Sequence, residues 1–447
     1  MTIANFPTAL VPIIQTGMLE REFHQAMMSV LRYRQCADRE PFAVRIGESL
    51  VKTRAGLLSS VTLPLSASGT TNPTGSTMLD NGLTPDTYGM EQYTIRIDRY
   101  AKTLNLDIVG EQVGIANQFV QNARALGENV ARSLDDMARN ALFNAYLGGN
   151  TRVRVTLGSN GPAVAVDDIR GFLTTAVNGV QQVVSSTYPM AVTVGSSVYS
   201  LYGAAPDGSN VTTTPGGISG VLTFSASVTI ADATALNAIA AATAPVVIRP
   251  AGRATGAALL ASDTLTMANL LDAKAKLEVN AVPKIDGFYN IYLDPVSSRQ
   301  LFADPDFKLL FQGATAENAA YRAGEITNSF LGMRFLPTTE ALVQAHPTIA
   351  GAIIRRPIIV GKGALVEGNF AGNFAAQSGS TVAEVAMVDG VAMITREPLD
   401  RLQQEIAQSW LWIGGWCAPT DMTTTPSQVA TATNSAYKRG VVIEHVG

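Results

Sequence analysis

Side chains suited to chemistry are few in this chain and far apart. Its three histidines, His24, His346 and His445, share neither His-x-His nor His-x-x-x-His spacing, the patterns that put two imidazoles on one face of a strand or helix to hold a metal. No Gly-x-Ser-x-Gly elbow is present to raise a nucleophilic serine, and no Gly-Lys-Ser/Thr loop to wrap phosphates. Gly361-Lys362-Gly363-Ala364-Leu365-Val366-Glu367-Gly368 has the glycines of a phosphate loop without its spacing, and reads as a turn between strands. Asp304 and Asp306 are near enough for paired-acid work, but they flank Pro305, where a capping or solvated role fits better. Cys36 and Cys417 are the only cysteines and form no Cys-x-x-Cys pair, so neither a disulfide framework nor a thiolate site is expected. The expectation is a protein that is not an enzyme and has no catalytic, cofactor or metal site. The polar residues singled out instead, as contacts to another subunit, are Lys52 and Arg54, with Tyr93 and Arg96.

The elements that carry these residues belong to a chain of 447 residues, enough for two to four domains each with its own core. Hydrophobic residues make up 47%, which excludes a mostly disordered protein. A net charge of -4 provides no global basic footprint, against a groove-reading nucleic-acid binder or a membrane-surface protein. A container for nucleic acid is not excluded, because enclosing phosphates does not require tight contact with them. The start, Met1-Thr2-Ile3-Ala4-Asn5-Phe6-Pro7, has no basic region and Pro12 breaks its apolar run, a poor secretory signal. No run of 18 apolar residues is present. Synthesis in the cytoplasm, without a membrane partner, is expected.

Along the chain, a mixed segment to residue 49 carries a short helix near Leu19 to Met28 and the basic cluster Arg32-Tyr33-Arg34. From Leu50 to Asp98 two extended runs flank a tip dense in turn formers, Ser66, Ser68, Gly69, Asn72-Pro73, Gly75, Asn81-Gly82 and Pro85, which predicts a long hairpin. Its return run alternates, with Tyr93, Ile95 and Ile97 on one face and Thr94, Arg96 and Asp98 on the other. Arms of this length, about 3.3 Å per residue, outreach a domain's own surface and pack on a neighbour. Ile115, Phe119, Ala123, Leu126, Val130, Leu134, Met137 and Ala141 then recur at helical spacing, ended by Gly148-Gly149. One apolar stripe without a heptad charge pattern predicts a long helix laid across a sheet.

Between Gly171 and Ile248, 78 residues hold only two charged side chains, Asp207 and Asp232, where the overall 15% would supply about twelve. The runs Ser197 to Tyr202 and Val221 to Ile230 make this a β-rich unit, from about Ser185, preceded by a helix tail over 171–184 near Asp167-Asp168. Beyond it a helix carries Met267, Leu270, Leu271 and Leu277, and a strand spans Phe288 to Leu293. Asp294-Pro295 opens a second helix as N-cap and first-turn proline. Strands are expected over Ala352 to Val360, Thr381 to Thr395 and Gly440 to Val446. Another carries Ile406, Gln408, Trp410, Trp412, Gly414 and Trp416 on one face.

The segment Asp294-Pro295-Val296-Ser297-Ser298-Arg299-Gln300-Leu301-Phe302-Ala303-Asp304-Pro305-Asp306-Phe307, with Gly324-Glu325-Ile326 and Leu331-Gly332-Met333-Arg334-Phe335-Leu336-Pro337-Thr338-Thr339-Glu340-Ala341, resembles the major capsid proteins of tailed double-stranded DNA bacteriophages. The order of parts resembles the same family across nearly the whole chain. The resemblance implies an α+β fold of the Hong Kong 97 type with a β-rich insertion domain. Its parts would be an N-terminal arm (1–49), an extension loop or E-loop (50–98), a P-domain (99–184) with a spine helix (111–147), the insertion (185–252), an A-domain (253–395) and a C-terminal return to the P-domain (396–447). It implies a non-enzymatic structural subunit that self-assembles into pentamers and hexamers of an icosahedral virion head around double-stranded DNA, built in the host cytoplasm. Its partners would be copies of itself, the portal, scaffold and decoration proteins, and packaged DNA held non-specifically. No acidic helical segment precedes the arm, so a fused, cleavable scaffold is not expected. The alternative is a β-rich surface adhesin or tail-fibre-type binding protein that uses the uncharged unit for recognition.

Overall fold

The helix Ile115–Tyr146 is the longest element, 32 residues or about 48 Å. A computed structural model describes residues 18–28, 32–42, 49–55, 90–107, 115–177, 180–214, 216–242, 244–312, 329–370, 383–396, 404–419 and 439–447. The hairpin tip, 66–85, and the Gly324-Glu325-Ile326 part of the family motif lie outside them. The helix buries Phe119, Ala123, Leu126, Val130 and Leu134 as the spacing predicts. Nearer its end the buried stripe runs through Ala138 and Leu142, and Met137 and Ala141 are half-buried. Repeated spacings of four, at about 100° per residue, walk the stripe round the helix by roughly 40° a step. Gly149 then takes φ +83°, the left-handed conformation glycine supplies beyond helix ends.

Two units make up the chain. The first comprises Met1–Val51, Thr94–Leu142 and Gly363–Ala418. Its six-stranded sheet runs in the order Ala37–Phe42, Leu365–Phe370, Glu405–Cys417, Val391–Arg396 and Ala383–Val388, and Asp98–Asp107 also pairs with the long strand Glu405–Cys417. That strand alternates as expected, burying Ile406, Gln408, Trp410, Trp412 and Gly414 with Trp416 half-buried. The buried face meets the long helix in one core with Leu106, Phe119, Leu126, Val130 and Met393. Two side-chain bonds pin helix to strand: Gln408 Nε2 donates to the Phe119 carbonyl at 3.2 Å and Trp410 Nε1 to Asn129 Oδ1 at 3.2 Å. The expected helix on a sheet is therefore observed. The region Thr381 to Thr395 is two strands, because Asp389-Gly390, both at positive φ, makes a two-residue turn pairing Val388 with Val391. Within the expected N-terminal arm, the helix is Met18–Met28, and Ala37–Phe42 is a strand of this sheet, parallel to Leu365–Phe370.

The second unit comprises Lys52–Tyr93, Phe143–Lys362 and Pro419–Gly447. Its mixed sheet has the order Val247–Ile248, Gly440–Ile443, Ile358–Val360, Tyr289–Leu293, Met333–Pro337 and Ser329–Phe330. The helix Met267–Val279 buries Met267, Leu270, Ala273 and Leu277 in the same core as Tyr289, Ile291, Phe335, Ile359 and Val441. Leu271, expected on that face, is exposed. Pro295–Ala303 and Pro305–Gln312 follow the strand Tyr289–Leu293, and the chain returns parallel to it as Met333–Pro337. The two C-terminal strand expectations each split. Ile353–Arg355 and His445–Val446 enter a three-stranded sheet with Val343–Ala345, whereas Ile358–Val360 and Gly440–Ile443 enter the mixed sheet. Pro357, which has no N–H to give to a ladder, marks one break, and Glu444 marks the other.

The β-rich part of this unit forms its own antiparallel sheet: Asn150–Arg152, Ala238–Ala241, Met190–Val194, Ser197–Pro206, Gly220–Val228 and Gly161–Val166. A bridge between Val153 and Val166, with Arg154 N donating to the Ala165 carbonyl at 2.9 Å, joins the first strand to the last. The sheet thus closes on itself around Val164, Val192, Val194, Leu201, Leu222 and Ile239, which removes its open edges. It begins at Asn150, ahead of the expected start at Ser185. The expected helix tail over 171–184 is instead the hairpin Thr174–Val177 with Val180–Val183. Its β-branched residues favour strand, and the Asp168 carboxylate takes the N–H of Arg170 (3.1 Å) and of Ile218 (3.2 Å), holding turns rather than starting a helix.

Candidate functional site

One constellation of the kind sought in the sequence does assemble. Ser297 Oγ lies 2.8 Å from His445 Nε2 and also donates to Asp294 Oδ1, so a serine, a histidine and an aspartate meet across 148 residues. Its wiring is that of a helix cap. Asp294 accepts from the backbone N–H groups of Val296 (3.1 Å) and Ser297 (3.3 Å) and from Arg355 Nη1 (2.5 Å), with Pro295 in the first turn, the roles its sequence predicts. The carboxylate bonds the serine, whereas a nucleophile's triad would place it on the far nitrogen of the histidine. His445 Nδ1 faces the Val446 carbonyl at 3.3 Å. Ser297 and His445 are fully buried, and burial pulls the His445 pKa down to about 4, so the imidazole is neutral near pH 7. The cluster ties the strand ends Leu293 and His445 to one helix start.

The other expected acids are also structural. Asp304 Oδ2 accepts from Met267 N at 2.6 Å and its Oδ1 from Asp306 N at 3.3 Å, so it caps the start of the helix Met267–Val279. Asp232 gathers Ser196 N, Tyr199 OH (2.7 Å) and Thr229 Oγ1. The Tyr199 bond leads the causes that hold its carboxyl well below the usual range. Asp207 pairs with Arg154 and accepts from Ser209 and Ser219. Gly361 to Gly368 is the turn and strand entry expected, with Gly363 at φ +75°. His346 Nδ1 accepts from Ile349 N at 3.1 Å, and its Nε2 lies 3.0 Å from the Leu259 carbonyl. Among the described residues no three His, Cys, Asp or Glu groups converge to hold a metal, and no helix is long and apolar enough to cross a membrane.

A lock in the first unit escaped the sequence. Arg34, read as part of a basic cluster, is buried. Its Nη2 reaches Glu367 Oε1 at 2.6 Å and its Nη1 reaches Asp389 Oδ2 at 3.0 Å. Arg39 adds Nη1 to Asp389 Oδ1 at 2.6 Å. Asp135 of the long helix accepts from the N–H groups of Arg32 (3.0 Å) and Arg34 (3.2 Å); burial nevertheless pushes its carboxyl pKa up. Residues 32–39 are thereby fastened to helix and sheet. Charge alone could not reveal this, because each partner lies 101 to 355 residues away.

The four predicted contact residues sit on the base of the hairpin, where Ser49–Ala55 pairs with Met90–Arg96. Lys52 is half-buried, Tyr93 is buried, and Arg96 is exposed with its guanidinium 3.7 Å from Asp98. Arg54 lies on the first strand, and its side chain is outside the described residues. The predicted alternation holds at Tyr93 and Ile95, buried, against Thr94 and Arg96, exposed.

No family model and no curated protein matches the chain. Similar solved structures include the capsid of Ralstonia phage GP4, 11% identical, covering 92% of this chain and 87% of that one with a TM-score of 0.49. The capsid of cyanophage P-SCSP1u is 10% identical over 93% and 88% of the two chains, TM-score 0.43. That of cyanophage Pam1 is 12% identical over 94% and 92%, TM-score 0.41.

Proposed function

We propose that this chain is the major capsid protein of a tailed double-stranded DNA bacteriophage, a non-enzymatic subunit that assembles with copies of itself into the pentamers and hexamers of an icosahedral head. The observation that carries the reading is the first unit's construction. A 32-residue helix lies on a sheet whose strands come from residues 37–42, 98–107 and 365–417, so that the N-terminal segment and the closing return of the chain meet under one spine. The paired strands Ser49–Ala55 and Met90–Arg96 support it, because they form the two-stranded base that the long hairpin expected over 50–98 requires. In this reading the hairpin is the extension loop, lying over a neighbouring subunit. Lys52, Arg54, Tyr93 and Arg96 contact that neighbour, and the closed β-rich module is an insertion on the outer surface. Its exposed Val198, Tyr202 and Val211 and its scarcity of charge suit contact with a neighbouring insertion or a decoration protein. Portal and scaffold proteins are further partners, DNA is enclosed without specific contacts, and the assembled protein resides in the virion.

The physical mechanism is distributed burial. Arm, loop and helix each cover surface on neighbours, and obligate contacts of this kind bury on the order of 2,000 Å² or more per interface. Negative-stain microscopy and size-exclusion chromatography of the purified protein test the proposal. Shells or ring-shaped capsomers are expected, and deletion of residues 66–85 should leave a soluble subunit that forms no stable shells. A protein that stays monomeric or trimeric under all assembly conditions, or normal shells from the deletion, would refute it.

A further inference from the structure

Arg356 and Glu444 stand at the two breaks where strands pass from the mixed sheet to the three-stranded sheet, and they line a cleft in the second unit. Arg356 Nε donates to Glu444 Oε1 at 2.8 Å, and Arg249 Nε donates to Glu444 Oε2 at 2.7 Å. Arg356 Nη2 donates to Gln344 Oε1, and Arg249 Nη1 to the Ala254 carbonyl at 2.7 Å. The wall supplied by the β-rich module holds Arg152, whose Nε lies 3.6 Å from Asp167 Oδ2 and whose Nη2 donates to Thr213 Oγ1. Asp167 is itself engaged by Thr213 N (2.8 Å), Thr213 Oγ1 (2.6 Å) and Thr214 Oγ1 (3.0 Å).

Two features of this cleft are unresolved by the protein's own groups. Its lining carries three guanidinium groups, Arg152, Arg249 and Arg356, against two carboxylates, Asp167 and Glu444, which leaves one positive charge in excess. Arg356 is 4% exposed, and its Nη1 has no hydrogen-bond acceptor among the described residues. An unpaired buried donor is costly, as is an excess positive charge in a cleft where Arg356 shares Glu444 with Arg249, and an anion removes both penalties at once. Burial, together with the nearby Arg356 charge, pulls the Arg152 pKa below its ordinary value against the opposing pull of Asp167 and Glu444, which places the two guanidinium groups within electrostatic reach. The cavity is about 70 Å³, room for a few waters or one small tetrahedral anion.

We propose that this cleft binds one small oxyanion of the inorganic phosphate class, held between Arg356 and Arg152, the guanidinium fork being the donor geometry that suits such a ligand. The anion bridges the β-rich module to the two strand breaks at Arg356 and Glu444. This site is independent of the assembly role and would exist in the free subunit. Equilibrium dialysis of the full-length protein against radiolabelled inorganic phosphate, at constant ionic strength set with sodium chloride, reads it directly. Saturable binding of one phosphate per chain is expected, competed by sulfate and not by chloride. Arg152→Gln, which leaves the Arg356–Glu444 pair in place, should weaken binding by about tenfold or more. Asp167→Asn, which removes an anion from the lining, should tighten it. Absence of saturable binding to the wild-type protein, equal competition by chloride, or binding unchanged in Arg152→Gln would overturn the proposal. The wild-type titration and Asp167→Asn keep the test decisive if Arg152→Gln does not fold.

Discussion

Asp294 offers the sharpest test of how this chain holds its second unit together. The carboxylate is buried and accepts from two backbone N–H groups at the start of Pro295–Ala303, from Ser297 Oγ and from Arg355 Nη1 at 2.5 Å. Asp294→Asn keeps a capping oxygen, because Asn caps about as well as Asp. It removes the charge opposite Arg355, whose side chain is only 15% exposed and whose Nε also has no acceptor among the described residues. Breaking a fully buried pair costs about 3–5 kcal/mol, and partial exposure of the arginine brings the expected loss to about 2 kcal/mol. Asp294→Ala also loses the cap, about 1 kcal/mol more, for a total of about 3 kcal/mol. Much of that loss is the stranded guanidinium, so Arg355→Met in the Asp294→Ala background should recover part of it. Urea unfolding of the soluble subunit followed by far-ultraviolet circular dichroism measures all three. An Asp294→Ala variant within about 0.5 kcal/mol of wild type, or no recovery in the double variant, would refute the reasoning.

The remaining predictions concern acid and packing. Burial lowers the His445 pKa to about 4 from 6.5, so the unfolded chain takes up that proton first, and stability present above pH 6.5 falls as pH drops towards 4, by about 3 kcal/mol in all. For Glu444 burial acts to raise the pKa, but Arg249 and Arg356 outweigh it and hold it at about 2 against 4.5, so a similar loss follows between pH 4.5 and 2. Urea midpoints from pH 7 to 4 should flatten in His445→Gln, and an unchanged slope would contradict the assignment. Trp412 is fully buried, with ring centroids 5.6 Å from Tyr100 and 5.8 Å from Trp416. Trp412→Ala should cost about 3–5 kcal/mol by chemical denaturation and Trp412→Phe distinctly less, because a large ring is kept and an indole N–H with no acceptor among the described residues is removed.

What was legible in the sequence was local. Asp294-Pro295 announces a helix start because cap and proline act within one turn, and Ile406 to Gly414 announces a half-buried strand because side-chain direction alternates with a period of two. The β-rich module was legible by its missing charges, but its beginning was not. Arg152, Arg154, Asp167 and Asp168 look like ordinary surface, yet Arg152 pairs with Asp167, Arg154 with Asp207 and Asp168 with Arg170, so the charge break falls well inside the module. The splitting of Ala352 to Val360 was readable at Pro357, whereas nothing near Glu444 signals that the last strand changes sheets.

By itself, then, the amino-acid order determined the long helix, the alternating strands, the turns and the caps, since these depend on dihedral preference and periodicity over a few residues. Only the tertiary structure decided that Arg34 is an internal lock, that the β-rich module closes on itself through Val153 and Val166, and that serine, histidine and aspartate meet as a cap. Each of these rests on partners brought together from distant parts of the chain. The worth of a charge or a polar group there is set by the burial and partners that packing supplies.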